Sequence, residues 1–309
     1  MKIFKKILYN SYFYTKRLGL GLYFFGNPNT LYHNLFNKLH LKLIANKETD
    51  NEDIRQFLKK GFFKTKINSS SLCEYISTEI KKQSANPLNY VHSFEINEQM
   101  KVQIKTHINY KYAPILKQLE KFYNSKISVA NIQIRRNFSI DESVNKEVYS
   151  NYYHADSFTY NHFKMFINLM DVSIDQGPLH IYSKLDTKKF IKLNNYKNRN
   201  NYFNKELENN VVKNTGNMGE SFVANTTECL HKAGVVKKGN YRDMLCITFI
   251  SAPEKINIDK DDFFYYEEKY PKAIWGETNE VDEVVNITKT QSLKKTIKLF
   301  FKYYKNKSI

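Results

Sequence analysis

The chain has 309 residues, of which 41% are hydrophobic and 26% charged; that is enough apolar surface for one large packed domain and argues against wholesale disorder. The formal net charge of +17 suits nucleic acid, an anionic membrane or an acidic substrate, although a lysine bias along the whole chain accounts for part of it. Three cysteines, Cys73, Cys229 and Cys246, without C-x-x-C spacing argue against a disulfide framework or a cysteine zinc site and fit a reducing compartment.

Residues 1–45 read as helices broken near Gly26-Asn27-Pro28. Their apolar run Leu18–Phe25 is too short to span a bilayer, which leaves a surface helix or one that rests on a membrane. Polar residues 46–53 form a linker. Asn51-Glu52-Asp53 then leads into Ile54, Phe57 and Leu58, which share one helical face. Gly61 ends that helix, Phe62-Phe63 starts an extended segment, and Leu72–Ile80 and Ile115–Phe122 read as further helices.

Near residue 127 the period changes. Ile127–Asn137 alternates as a strand does, and Tyr149–Asp156, Phe163–Asp171, Pro178–Tyr182, Glu220–Asn225 and Met244–Ser251 are further strand candidates. So many strands without long intervening helices predict an antiparallel sandwich or barrel. Residues 193–210 are polar and Asn-rich, a long surface loop or lid, or a disordered insertion. Leu293–Lys307 is a basic amphipathic helix that either docks on the domain or lies on an anionic membrane surface. The expected organisation is a helical extension over 1–50, a catalytic domain over 51–255 and a C-terminal extension over 256–309. A cytoplasmic protein, with peripheral membrane contact through its basic ends as the further option, fits this layout. No motif of a nucleic-acid-binding module is present, so no nucleic-acid partner is expected.

Chemistry concentrates at Tyr153-His154-Ala155-Asp156. Residues i and i+2 of a strand point to one face, so His154 and Asp156 can offer an imidazole and a carboxylate to one metal. The histidines available downstream as a third ligand are His162, His180 and His231. His162 falls in the turn expected after Asp156, and His180 within the strand GPLHIY. His231 follows the strand GESFVAN and precedes another, where a neighbouring barrel strand would place it. Two His and one carboxylate leave open positions of the kind used by Fe(II) for oxygen activation. Arg242 follows a turn at Lys237-Lys238-Gly239-Asn240; a hairpin there would set it on the strand beside His231, where its guanidinium would require an anion such as a dicarboxylate. Gln133 and Arg135 share one face of their strand, and Lys164, Phe166 and Asn168 share one face of theirs. Whichever face turns inward lines the pocket, and the Lys164 ammonium suits an acidic substrate or co-substrate.

In order and spacing these segments resemble the phytanoyl-CoA dioxygenase-like family. The resemblance rests on His154-Ala155-Asp156, the strand KMFINLMDV, the turn Asp175-Gln176-Gly177-Pro178-Leu179, Gly219-Glu220, His231, Arg242 and the opening LKKGFF (58–63), and it spans about residues 53–252. It implies a mainly β chain with flanking helices around a double-stranded β-helix, the jelly-roll or cupin-like core. It implies Fe(II) ligation by His154, Asp156 and His231, and 2-oxoglutarate held by Arg242; by the faces of their strands, Lys164 and Gln133 are further candidates for contact with the co-substrate. O₂ would be the co-reactant, and a small-molecule substrate, anionic or lipid-linked, would be hydroxylated with release of succinate and CO₂. One departure stands out: where the family has P-G-S-H, this chain has Ile181-Tyr182-Ser183-Lys184, which bears on the shape of that loop and on substrate choice but not on the metal ligands. Two other classes remain open, a cupin-like metal protein without redox chemistry and a basic nucleic-acid- or membrane-binding protein on an inactive oxygenase fold.

Overall fold

The computed structural model describes residues 49, 51–87, 90–123, 126–141, 148–156, 162–194, 208–252, 268–269 and 283–284. The segments expected as helices over 1–45 and Leu293–Lys307, and residues 195–207 of the polar stretch, lie outside them.

Helix α1, Glu52–Lys60, starts where Asn51 caps it, the Asn51 side chain accepting from the Ile54 N–H at 3.0 Å. It stops at Gly61, whose φ of 93° is left-handed and whose N–H donates to Phe57 O. Strand β1 (Phe62–Lys64) and helix α2 (Ser70–Ile80) follow as expected. Three elements were not legible: strand β2 (Val91–Phe94), helix α3 (Glu98–His107) and the π-turn Ile108–Tyr112 that joins α3 to helix α4 (Ala113–Tyr123).

Strand β3 (Lys126–Phe138) opens the sheet core, followed by β4 (His162–Asn168), β5 (Leu179–Ile181), helix α5 (Lys184–Asn194), β6 (Val212–Asn214), β7 (Ser221–Ala224), β8 (His231–Ala233) and β9 (Tyr241–Ala252). One sheet has the order β1-β7-β4-β9-β3-β2 and another the order β6-β5-β8. His154 adds to the free edge of β8 through an antiparallel bridge to His231. Numbered in chain order from β3 to β9, with the His154 segment second, the core strands run 1-8-3-6 in one sheet and 2-7-4-5 in the other, and the named pairs are antiparallel. That is the strand order of a double-stranded β-helix, or jelly roll.

Alternation along the strands gives the large sheet two faces. Leu245, Ile247 and Phe249 of β9 join Phe163, Met165 and Ile167 of β4 and the buried residues Ile54, Phe57, Ile76 and Leu119 of the helices in the main core. Met244, Cys246, Phe166 and Phe222 turn the other way and meet Leu179 and Ile181 of the small sheet. The interior between the sheets is therefore apolar in part, and the remaining inward positions of β3, β4 and β9 carry the polar groups of the site.

Several expectations need correction. Tyr149–Asp156 is not a strand: Tyr149 and Ser150 have φ of 38° and 60°, a left-handed turn that no extended segment tolerates, and within the segment His154 alone forms a β-bridge, to His231. His162 is the first residue of β4 rather than part of a turn. The turn Lys237–Asn240 exists, with the Asn240 N–H donating to Lys237 O at 3.0 Å, but it does not close a hairpin. β8 belongs to the small sheet and β9 to the large one, so the turn carries the chain across the barrel. Helix α5 covers the start of the stretch read as a loop over 193–210, and β6 follows its end. Ser183, the retained member of the altered P-G-S-H segment, caps α5: its hydroxyl accepts from the Asp186 N–H at 3.1 Å and bonds the Asp186 carboxylate at 2.6 Å. Among the described residues no helix is long and apolar enough to cross a membrane, and all three cysteines are free and buried.

Candidate metal centre

The structure brings His154, Asp156 and His231 together, with one potential ligand atom from each lying within 4.8 Å of the others. Three backbone bonds hold them there. His154 N–H donates to His231 O at 3.0 Å and His231 N–H to His154 O at 2.9 Å, while Asp156 N–H donates to Thr226 O at 2.9 Å. The two histidines thus face each other across one sheet edge, with ring centroids 4.3 Å apart. Asp156 reaches both, Oδ1 lying 3.8 Å from His154 Nε2 and Oδ2 3.7 Å from His231 Nε2. Those separations are too long for hydrogen bonds and leave room for an ion among the three.

Both rings are oriented in the same way. His154 Nδ1 lies 2.9 Å from Tyr152 O, and His231 Nδ1 lies 3.1 Å from Cys229 O. A carbonyl only accepts, so each Nδ1 carries the proton and each Nε2 lone pair turns to the cluster, the tautomer a metal ligand needs. Burial, with His154 nearby, pushes His231 down to about 3, so its ring is neutral at ordinary pH. No sequence pattern marks these carbonyls, because any residue two positions before the histidine supplies one.

The frame that carries His231 is tight. Gly61 presses on Cys229: a Cβ at Gly61 would lie 2.2 Å from Cys229 Sγ, and Asn225 N–H donates to Gly61 O at 2.7 Å. Gly177, at φ 63°, is similarly crowded, a Cβ there meeting Gly234 O at 2.5 Å. The GPL turn is therefore glycine for close approach as well as for backbone sign.

Lys164 extends into the site. Its Nζ lies 2.9 Å from Asp156 Oδ2, with 23% of its side chain accessible. Burial, the largest influence, works against this charge, but the Asp156 carboxylate and Cys246 together hold the ammonium above the ordinary lysine value.

Arg242 is 3% exposed and, by alternation with Met244 and Cys246, faces the interior between the sheets. Its Nε and Nη1 have no hydrogen-bond partner among the described residues. Burial pushes the guanidinium down to about 10, with only the Tyr149 phenol opposing. Tyr149, which the sequence did not single out, hydrogen-bonds Phe138 O at 3.1 Å. Among the described residues no carboxylate pairs with it, and a buried cation in that setting is costly unless an anion is brought to it.

The remaining candidates are not part of the cluster. Gln133 and Arg135 face the interior opposite Cys246 and Met244, and Asn168 is buried at the end of β4. His180 stands on the outer side of the small sheet, in register with Lys213 and Lys232, because Leu179 and Ile181 take the inward positions. Burial, then Lys232 and Lys213, push it down to about 3.

No family model matches the chain, and no curated protein does. Among solved structures it is similar to the nickel- and 2-oxoglutarate-bound HygX of Streptomyces hygroscopicus, at 12% identity over 77% of this chain and 98% of that one, with a TM-score of 0.48. It is similar to EctD of S. alaskensis with 2-oxoglutarate and 5-hydroxyectoine, at 14% identity over 67% and 80% with a TM-score of 0.45. It is also similar to the non-heme alpha ketoglutarate dependent epimerase SnoN of nogalamycin biosynthesis, at 9% over 65% and 82% with a TM-score of 0.46. Likeness at this level says nothing of function, and the fold assignment rests on the strand order given above.

Proposed function

We propose that this protein is a non-haem Fe(II)- and 2-oxoglutarate-dependent oxygenase, of the phytanoyl-CoA dioxygenase-like kind, that hydroxylates a small organic molecule. His154, Asp156 and His231 would hold the iron: two imidazoles and one carboxylate form a nitrogen and oxygen donor set suited to Fe(II), and three ligands leave positions open. The observation that carries the proposal is Arg242, a buried guanidinium whose Nε and Nη1 have no hydrogen-bond partner among the described residues, on the inward face of a barrel that also holds a histidine–aspartate–histidine cluster. A dicarboxylate co-substrate would supply the anion this arginine needs, as a bidentate pair.

Bound Fe(II), with 2-oxoglutarate and O₂, supplies the oxidation: the ketoacid loses CO₂ to become succinate, and one oxygen atom of O₂ enters a substrate C–H bond. The chain's own residues have narrower tasks. Tyr152 O and Cys229 O fix the ring tautomers, Arg242 anchors the far carboxylate, and Phe166, Phe222 and Met244 keep water from the interior. An anionic substrate suits the positive site and the basic chain.

Anaerobic titration of the protein with Fe(II) and 2-oxoglutarate tests the proposal. A weak visible charge-transfer band should appear with wild type and be absent from His231→Ala, and succinate should form once O₂ is admitted. Metal uptake with neither band nor succinate refutes it and leaves a cupin-like protein without redox chemistry.

A further inference from the structure

Asp156 brings a negative charge into a cluster whose other members are imidazole nitrogens, and Lys164 Nζ lies 2.9 Å from its Oδ2. The lysine is fixed from both sides: β4 is an inner strand, and Lys164 is in register with Ala224 of β7 and Thr248 of β9. Its stem cannot move with a loop, so its ammonium stays within reach of Asp156. A divalent ion bound by Asp156 takes over the same carboxylate and sits within a few ångströms of a like charge.

We infer that Lys164 is the resident counter-ion of the metal-free site and competes with the metal for Asp156, so that it lowers metal affinity. The inference rests on the metal-site assignment proposed above. The usual role of a group that hydrogen-bonds a ligating carboxylate is support, and its loss weakens metal binding about 10- to 100-fold. A cationic donor differs from the usual amide or hydroxyl, because its hydrogen bond to Asp156 comes with direct repulsion of the ion.

The test is a Co(II) titration of chelator-treated protein, followed by the cobalt absorption bands and by calorimetry, on wild type, Lys164→Met and Lys164→Arg. Lys164→Met should bind cobalt at least tenfold more tightly than wild type, and its metal-free form should melt at a lower temperature. Lys164→Arg, which keeps a cation on Asp156, should stay close to wild type. If Lys164→Met does not fold, Lys164→Gln replaces it with the same expected sign. Wild type that binds cobalt while the neutral variant binds it equally or more weakly overturns the inference and leaves the metal site standing. Wild type that takes up no cobalt removes the metal site and this inference together.

Discussion

Replacing Arg242 by Met separates a ligand-binding arginine from a structural one, because the two roles predict opposite signs for stability. Met keeps most of the apolar stem and removes the charge. Burial lowers the guanidinium from 12.5 to about 10, and at about 1.4 kcal/mol per factor of ten, keeping it charged in place costs about 3 kcal/mol. With no partner for Nε and Nη1 among the described residues, few lost hydrogen bonds offset that gain. Ligand-free Arg242→Met should therefore be more stable than wild type by about 2 kcal/mol, a rise of roughly 5 °C in melting temperature for a domain of this size. In the presence of 2-oxoglutarate and Mn(II), wild type should gain stability by mass action. The variant should gain little, because loss of a buried charge-assisted pair weakens binding about a hundredfold or more. The assay is thermal melting by circular dichroism with and without 2-oxoglutarate at fixed metal. An Arg242→Met protein that melts below wild type and keeps the full 2-oxoglutarate shift would show that the arginine serves the fold and not a ligand.

Three further outcomes follow from single residues. Gly61→Ala forces a side chain into a left-handed position and onto Cys229 Sγ, so it should destabilise by about 1–2 kcal/mol or more in denaturant unfolding; because Cys229 O orients the His231 ring, it should also weaken metal binding in a titration. Ser150→Gly removes a positive-φ penalty at 60° and should stabilise by about 1 kcal/mol in the same assay, a null or negative change meaning that the turn is not strained. His180, neutral in the fold because burial and neighbouring lysines push it down to about 3 from 6.5, takes up a proton when the chain unfolds in acid. Its contribution to stability is complete above about pH 6.5 and is lost as pH falls toward 3, at up to about 1.4 kcal/mol per pH unit. His180→Asn should flatten that part of the stability-against-pH curve measured by urea unfolding, and an unchanged slope would assign the acid sensitivity to other groups.

Wherever local chemistry acts alone, sequence was sufficient. Asn51 and Gly61 bracket a helix because capping and left-handed φ are single-residue properties. Alternation in Ile127–Asn137 and Met244–Ser251 marks strands because each has one face on the helices and the other on the barrel interior. Elements that depend on a partner were missed. Val91–Phe94 and Val212–Asn214 are edge strands given their shape by a neighbour, and the α3 helix packs too few apolar residues to announce itself. Tyr149–Asp156 has the composition of a strand, but Tyr149 and Ser150 form a left-handed turn.

What the sequence determined by itself is side-chain type: His154, Asp156 and His231 as candidates for a metal, and Arg242, Lys164 and Gln133 as candidates for its co-substrate. Tertiary structure decided how they meet. It joined His154 to His231 by reciprocal backbone bonds, set Arg242 on the opposite sheet rather than on a hairpin beside His231, aimed Lys164 at Asp156 and turned His180 outward. Side-chain type is written residue by residue, whereas distance between residues far apart in the chain comes from sheet register, and register is fixed only when both faces of a barrel pack at once.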